Sequence, residues 1–335
     1  VQNAILCHMT LRVLRHRLSV PILLILFGLL IIIARNPYTI SDWFRLRNYQ
    51  PDASILAIAD ATSMTDKARH MFFINHPELQ DKESFHQSCP QYDEQTIVIG
   101  CYQAGQRGIF VLKVDDERLN GVEEVTAAHE MLHAAYERLS DKEQGRVDGL
   151  LQAYADDGLK NERIITALKG YEKSEPGQQY NEMHSMFGTE INDLPADLHE
   201  YYAQYFDDRS KVVAAADAYQ AAFTSRQASI AEYDAQLETL NNNIKTNTKT
   251  LGNQADAIDD SRRQLETQRQ SGNIEAYNNG VVPFNNQVNA YNTLLSTTRQ
   301  QISQYNALVE KRNAIAAQTV ELQKAIDSSS LPGSQ

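Results

Sequence analysis

The sequence predicts an α+β domain, built from a short sheet and a mostly helical second half, followed by a long all-α antiparallel coiled-coil hairpin. Three observations carry this reading. Two β-branched runs separated by a Gly-containing turn lead into an amphipathic stretch, Val122–Leu139, with helical spacing. Apolar residues then recur every seven positions from Phe223 to Leu265, and again from Val288 to Val309. Gly, Asn and Pro punctuate the chain between those two runs. The chain divides accordingly into a basic tail at 1–17, an apolar segment at 18–34, a domain at 48–210, the hairpin at 211–328 and a disordered tail at 329–335.

The segment Leu18–Ala34 carries no charge and has no polar face, unlike a helix packed on a globular core. Its length is at the short limit for a bilayer core of ~30 Å, and it predicts a transmembrane helix. No small-x-small pattern follows it, so an uncleaved anchor is expected. Arg12, Arg15 and Arg17 before it balance Arg35, Arg45 and Arg47 after it, which leaves the orientation to the short leading tail. Residues 1–47 carry a net +5, which leaves −17 on the rest of a chain whose total is −12. So acidic a body, with no basic stripe, excludes nucleic acid as a partner. Cys89 and Cys101 are compatible with either a disulfide or two separate thiols.

Thr96–Tyr102 reads as a strand, Ala104–Gly108 as a turn and Ile109–Val114 as a second strand. Gly121 then opens the helix, Glu123 and Glu124 complement its dipole, and Val125, Ala128, Leu132 and Ala135 form a buried face. Within it stands His129-Glu130-Met131-Leu132-His133. Residues four apart share a helix face, so His129 and His133 can aim two imidazoles at one metal ion. Glu130, about 100° further round, stands beside the metal with no need to ligate it. Two nitrogen ligands and a neighbouring carboxylate that takes a proton from water are what a zinc hydrolase requires. The alternative is a pair of satisfied core histidines.

A zinc site needs a third protein ligand. The helical stretch Tyr180–Glu190 offers Glu182, His184 and Glu190. On a regular helix Glu182 and His184 lie about 160° apart and His184 and Glu190 about 120° apart, while Glu182 and Glu190 are separated by about 12 Å along the axis. One of the three can ligate, unless Gly188 breaks the helix.

Strand, turn, strand and H-E-x-x-H helix, in that order, resemble the zincin metallopeptidases. Asn181-Glu182-Met183-His184-Ser185 resembles the N-E-x-x-S stretch in which thermolysin-like gluzincins carry a glutamate ligand. The resemblance implies Glu182 as third ligand, with Glu190 and His184 as alternatives. Met186 stands where that family has an aspartate that steadies a ligand histidine, a role Glu190 or Asp193 would then take. It also implies Gly108–Val114 as the edge strand that holds a substrate backbone. The expected protein is a single-pass, membrane-anchored zinc metallopeptidase with an extracytoplasmic catalytic domain. It would bind Zn2+ through His129, His133 and Glu182, use Glu130 as general base on peptide or protein substrates, and draw an oxyanion donor from Tyr201, Tyr202 or His184. The alternative is a non-catalytic envelope scaffold or partner-binding protein that works through its coiled coil.

A helix is expected to start at Asp193-Leu194-Pro195 and run on through Tyr201, Tyr202, Tyr205 and Phe206. Phe223, Ile230, Leu237, Ile244, Leu251, Ile258 and Leu265 form one core column of the coiled coil. In the other column Tyr219, Tyr233 and Leu240 fit but Arg226, Asn247, Gln254 and Ser261 do not, so the seam is thin. Ser271–Asn273, Asn278–Gly280 and Pro283 break the run before Val288, Leu295, Ile302 and Val309 resume it, with Tyr291 and Tyr305 between and Leu308, Ile315 and Leu322 on a shifted face, and the two helices fold back on each other. Self-association or a protein partner would act through this rod.

Overall fold

The computed structural model describes residues 24, 25, 27, 28, 38–89, 98–174 and 177–328. The basic tail, most of the apolar segment 18–34, the start of the first expected strand and the tail 329–335 lie outside them. Two compact units are present. The first takes in the described residues of Val1–Lys113, Gly121–Ala216 and Ser328–Gln335, and the second consists of Val114–Asn120 and Asp217–Asp327.

The first unit runs α1 (Thr39–Leu46), α2 (Ala53–Ala61), α3 (Asp66–Phe73), β1 (Glu78–Gln80), α4 (Lys82–Ser88), β2 (Gly100–Gln103), β3 (Gly108–Leu112), α5 (Val122–Glu137), α6 (Asp141–Asp157), α7 (Glu162–Ser174), α8 (Gln179–Glu190) and α9 (Ala196–Tyr202). Its one sheet has the order β1-β3-β2. β2 pairs antiparallel with β3, with Cys101 opposite Phe110, and β1 pairs parallel with β3, with Leu79 opposite Val111. The central strand is therefore β3, whose residues are buried on both faces apart from a half-buried Phe110. This corrects the expectation of an edge strand at 108–114. β1 takes the position beside it, and its three residues, Glu-Leu-Gln, are too short and polar to show a strand period.

Helix α5 lies at the middle of this unit, packed on the sheet, on α2 and α3, and most extensively on α8. Val125, Ala128, Met131, Leu132 and Ala135 of α5 join Phe72, Phe187, Tyr202 and Tyr205 in one core. The Tyr-rich stretch does not continue α9 into the next helix. α9 ends at Tyr202, Phe206 bridges to Met64, and Tyr201, Tyr202, Tyr205 and Phe206 turn into the core. Arg209 fixes this break. Its buried guanidinium donates to the carbonyls of Ile191 and Asn192 (2.7 Å), where α8 has run out of intrahelical partners.

The second unit is an antiparallel hairpin, formed by α10 (Ser210–Gln270) from Asp217 onward and α11 (Ile274–Ile326). Asn247 donates to Gln301 at 2.9 Å and Arg312 pairs with Asp234 at 3.0 Å, so position falls along one helix as it rises along the other. The reversal needs only Ser271–Asn273, with Gly272 in the left-handed region at φ 75°. Asn278, Gly280 and Pro283 lie inside α11, not in a breaker. The Phe223–Leu265 column faces the seam and is half-buried throughout. On α11 Val288, Leu295 and Val309 are half-buried, as are Tyr291 and Tyr305 between them, Thr298 is buried, and Ile302 of the expected column stands 42% exposed.

The single-pass anchor and the extracytoplasmic placement built on it are not upheld. Among the described residues, no helix is long and apolar enough to cross a membrane. The only described helices of spanning length, α10 and α11, carry Asp, Glu, Lys and Arg along their course.

One buried ion pair ties α1 to the end of α5. Arg138, directly after α5, meets Asp42 in bidentate fashion at 2.7 and 2.8 Å, and His70 reaches the same carboxylate at 3.0 Å. Burial alone would raise the pKa of Asp42, but Arg138 and His70 outweigh it and hold the carboxyl below its usual range. A lowered carboxyl pKa contributes stability above the unfolded value, about 3.9, and that contribution disappears as pH falls through the folded value. Asp42→Ala should therefore destabilise the protein by about 3–5 kcal/mol near neutral pH, since it strands a buried guanidinium. The deficit should shrink as pH is taken below about 4. Thermal unfolding across a pH series measures both, and a deficit independent of pH would show that the charge is not what matters.

Candidate metal centre

Gly121 opens α5 in the left-handed conformation at φ 94°, and Glu123 and Glu124 occupy its first turn. One turn and a half further on, His129 and His133 project side by side, their rings 4.7 Å apart and nearly perpendicular. α8 crosses close to them because Gly188 has no side chain. A Cβ there would lie 2.5 Å from Leu132 Cδ1 and 2.7 Å from Tyr202 Cε1. Gly188 thus does not break α8. It lets α8 close onto α5, which brings Glu182 over the two histidines.

Glu182 Oε1 lies 3.5 Å from His133 Nε2, and Glu182 Oε2 lies 3.7 Å from His129 Nε2. Ligand atoms of His129, His133 and Glu182 all fall within 4.8 Å of one another. Bonds of about 2.0–2.2 Å in a tetrahedron would place ligand atoms about 3.3–3.6 Å apart, so the spacing suits one zinc-sized ion. Glu182 Oε2 is also buried without a hydrogen-bond partner among the described residues, an orphan that a cation would satisfy. Burial pushes the Glu182 pKa up, but the two imidazoles more than offset this, and the carboxyl stays below its usual range and ionised.

Asn181 completes the arrangement. Its Oδ1 accepts from His133 Nδ1 at 2.9 Å, so the proton sits on Nδ1 and Nε2 presents its lone pair towards Glu182. The stretch expected to supply a ligand therefore also supplies the group that orients one. Asn181 does for His133 what Glu190 or Asp193 was expected to do, while Glu190 pairs with Arg163.

His184 is turned away from this cluster. It is fully buried behind α5, and its Nε2 meets the Tyr201 hydroxyl at 2.8 Å. Burial pushes its pKa down to about 3, so the ring is neutral. Tyr202 donates to the His184 carbonyl at 2.8 Å, and Tyr201 contacts Tyr205 at 3.3 Å. The three expected oxyanion donors are thus bonded to each other or to core groups.

Glu130 lies one residue round α5 and is 7% exposed. Gly100 of β2 faces it, and a Cβ at that position would stand 3.1 Å from Glu130 Oε1 and 2.3 Å from Thr126 Cγ2. The edge strand beside the carboxylate is therefore β2, and glycine there is a steric requirement. No family model, curated protein or solved structure matches this chain.

This geometry separates the three acidic and basic alternatives. If the group holds a divalent ion, tested with zinc as the probe, Glu182→Ala should lower its affinity by orders of magnitude and His129→Ala/His133→Ala should abolish stoichiometric binding. His184→Ala should spare zinc while lowering the melting temperature, because it opens a cavity in the aromatic core. Metal analysis of the purified proteins reads the first two, and loss of zinc in His184→Ala alone would reverse the assignment.

Proposed function

We propose that the protein is a zincin-type metallopeptidase that hydrolyses peptide bonds at this centre. The observation that carries the reading is the convergence of His129, His133 and Glu182 with Glu130 alongside. Two imidazole nitrogens and one carboxylate oxygen are a catalytic set for zinc, since they leave one of four tetrahedral positions for water or substrate. A zinc ion held there would acidify water towards neutral pH and polarise a peptide carbonyl.

The chain's own residues supply the rest. His129 and His133 act as neutral ligands, the latter fixed in its tautomer by Asn181. Glu130 acts as general base, takes a proton from the attacking water on its carboxylate and returns it to the leaving amine. An extended substrate backbone would add to the outer edge of β2, which pairs with no other strand among the described residues, because β3 already has a strand on each side. Gly100, with no side chain, lets α5 pack directly on β2, which brings the carboxylate of Glu130 close to the backbone of that strand.

Glu130→Gln separates chemistry from structure, since the amide keeps the carboxylate's shape but cannot accept the proton. It should retain zinc and its melting temperature while losing about 10²–10⁴-fold in the rate of peptide hydrolysis. A mixed peptide library, digested by both proteins with zinc content checked, makes the comparison. Equal cleavage by both would exclude Glu130 as the base, and no cleavage by either zinc-loaded protein would favour the scaffold alternative.

A further inference from the structure

Strand β2 alternates its side chains between two neighbours. Gly100 and Tyr102 face α5, with the Tyr102 hydroxyl donating to Glu137 at 2.6 Å. Cys101 and Gln103 face the opposite way, onto the end of α4. There Gln103 Nε2 donates to the Ser88 carbonyl at 2.7 Å, and Cys101 forms a disulfide with Cys89, with the two Cα atoms 6.0 Å apart. Cys89 caps α4 and is only 4% exposed.

Among the described residues β2, four residues long, has a ladder on one side only, and strands of that kind sit at the low end of local stability. The disulfide anchors this one to the core at the residue next to Gly100. We infer that the Cys89–Cys101 disulfide is a positioning device for the proposed peptidase, which holds the β2 edge at the height of Glu130 for substrate to pair with. The inference rests on the peptidase reading for its enzymatic consequence and on the structure alone for the tie. Reduction by a dithiol breaks the Sγ–Sγ bond. Two electrons and two protons pass to the cysteines to give two thiols, and the dithiol closes to its own disulfide. The β2 edge is then released while His129, His133 and Glu182, all on α5 and α8, stay in place.

The test compares the full-length zinc-loaded protein with Cys89→Ser/Cys101→Ser by hydrogen exchange and by steady-state kinetics. Amides of Gly100–Gln103 should exchange at least about tenfold faster in the variant, while those of α5 and the zinc content stay unchanged. KM for library peptides should rise about three- to tenfold with kcat held within about twofold, a split that general destabilisation would not produce. If the variant does not fold, phosphine reduction of the folded wild type supplies the same comparison. Unchanged exchange in β2, or faster exchange spread equally over α5, would overturn the tie. Faster exchange in β2 with no cleavage by the oxidised wild type would leave the tie standing and count against the peptidase reading. Faster exchange with an unchanged KM would overturn the positioning role.

Discussion

The approach of α8 to α5 at Gly188 is the constraint on which the rest of the centre depends. Two helices carrying ordinary side chains at their crossing stay 8–10 Å apart between axes. Here Leu132 and Tyr202 already occupy the space a Cβ at Gly188 would need. The closeness has an electrostatic cost, because it drives the carboxylate of Glu182 into the interior. A lone buried charge of that kind costs several kcal/mol in desolvation. Two imidazoles, one of them oriented by Asn181, offset it, and a divalent cation between the three groups would add to that stabilisation. The packing therefore makes the interior hungry for positive charge at one point.

Two buried arginines of this unit serve helix ends. Arg209 closes the carbonyl end of α8, the helix that carries Glu182. Arg138 follows α5, the helix that carries His129 and His133, and pins it through Asp42 to α1. Each of the two helices that meet at the centre is thus restrained at its C-terminus by an arginine, one on carbonyls and one on a carboxylate. Restraint of this kind limits how far the ligand atoms can drift and keeps their separation near the value a small ion demands.

What could be read from the chain follows from how local each signal is. The α5 pattern repeats over four turns, and His129, Glu130 and His133 are fixed within a single turn of it, so periodicity alone placed them on one helix. The N-E-x-x-S stretch was equally local, and the carboxylate of Glu182 is the one brought to the histidines. Gly188 was ambiguous because a helical glycine can mark a break or a close approach, and only the partner helix decides. β1 was invisible because three residues cannot show a period, and the edge role expected of 108–114 rested on resemblance alone, which says nothing of a strand added beside it. The Tyr-rich stretch read as continuous helix because its turn is enforced from outside, by Arg209 and by the pairing of Phe206 with Met64. In the hairpin both helices were legible, and of the column expected on α11 Val288, Leu295 and Val309 are half-buried like the column on α10, while Ile302 is exposed.

The hairpin seam has a mechanical implication. Along α10 its apolar layers alternate with Asn247, Gln254 and Ser261, and no side chain of the Phe223–Leu265 column is fully covered. Stability in such a structure accumulates layer by layer between adjacent neighbours, with no central core whose loss would bring down the whole. The rod should therefore fray like a zip, beginning at the three-residue reversal around Gly272 and stopping wherever a layer such as the Asn247–Gln301 pair holds. Pulled or heated gently, it would yield in increments, and its effective length would become a graded quantity.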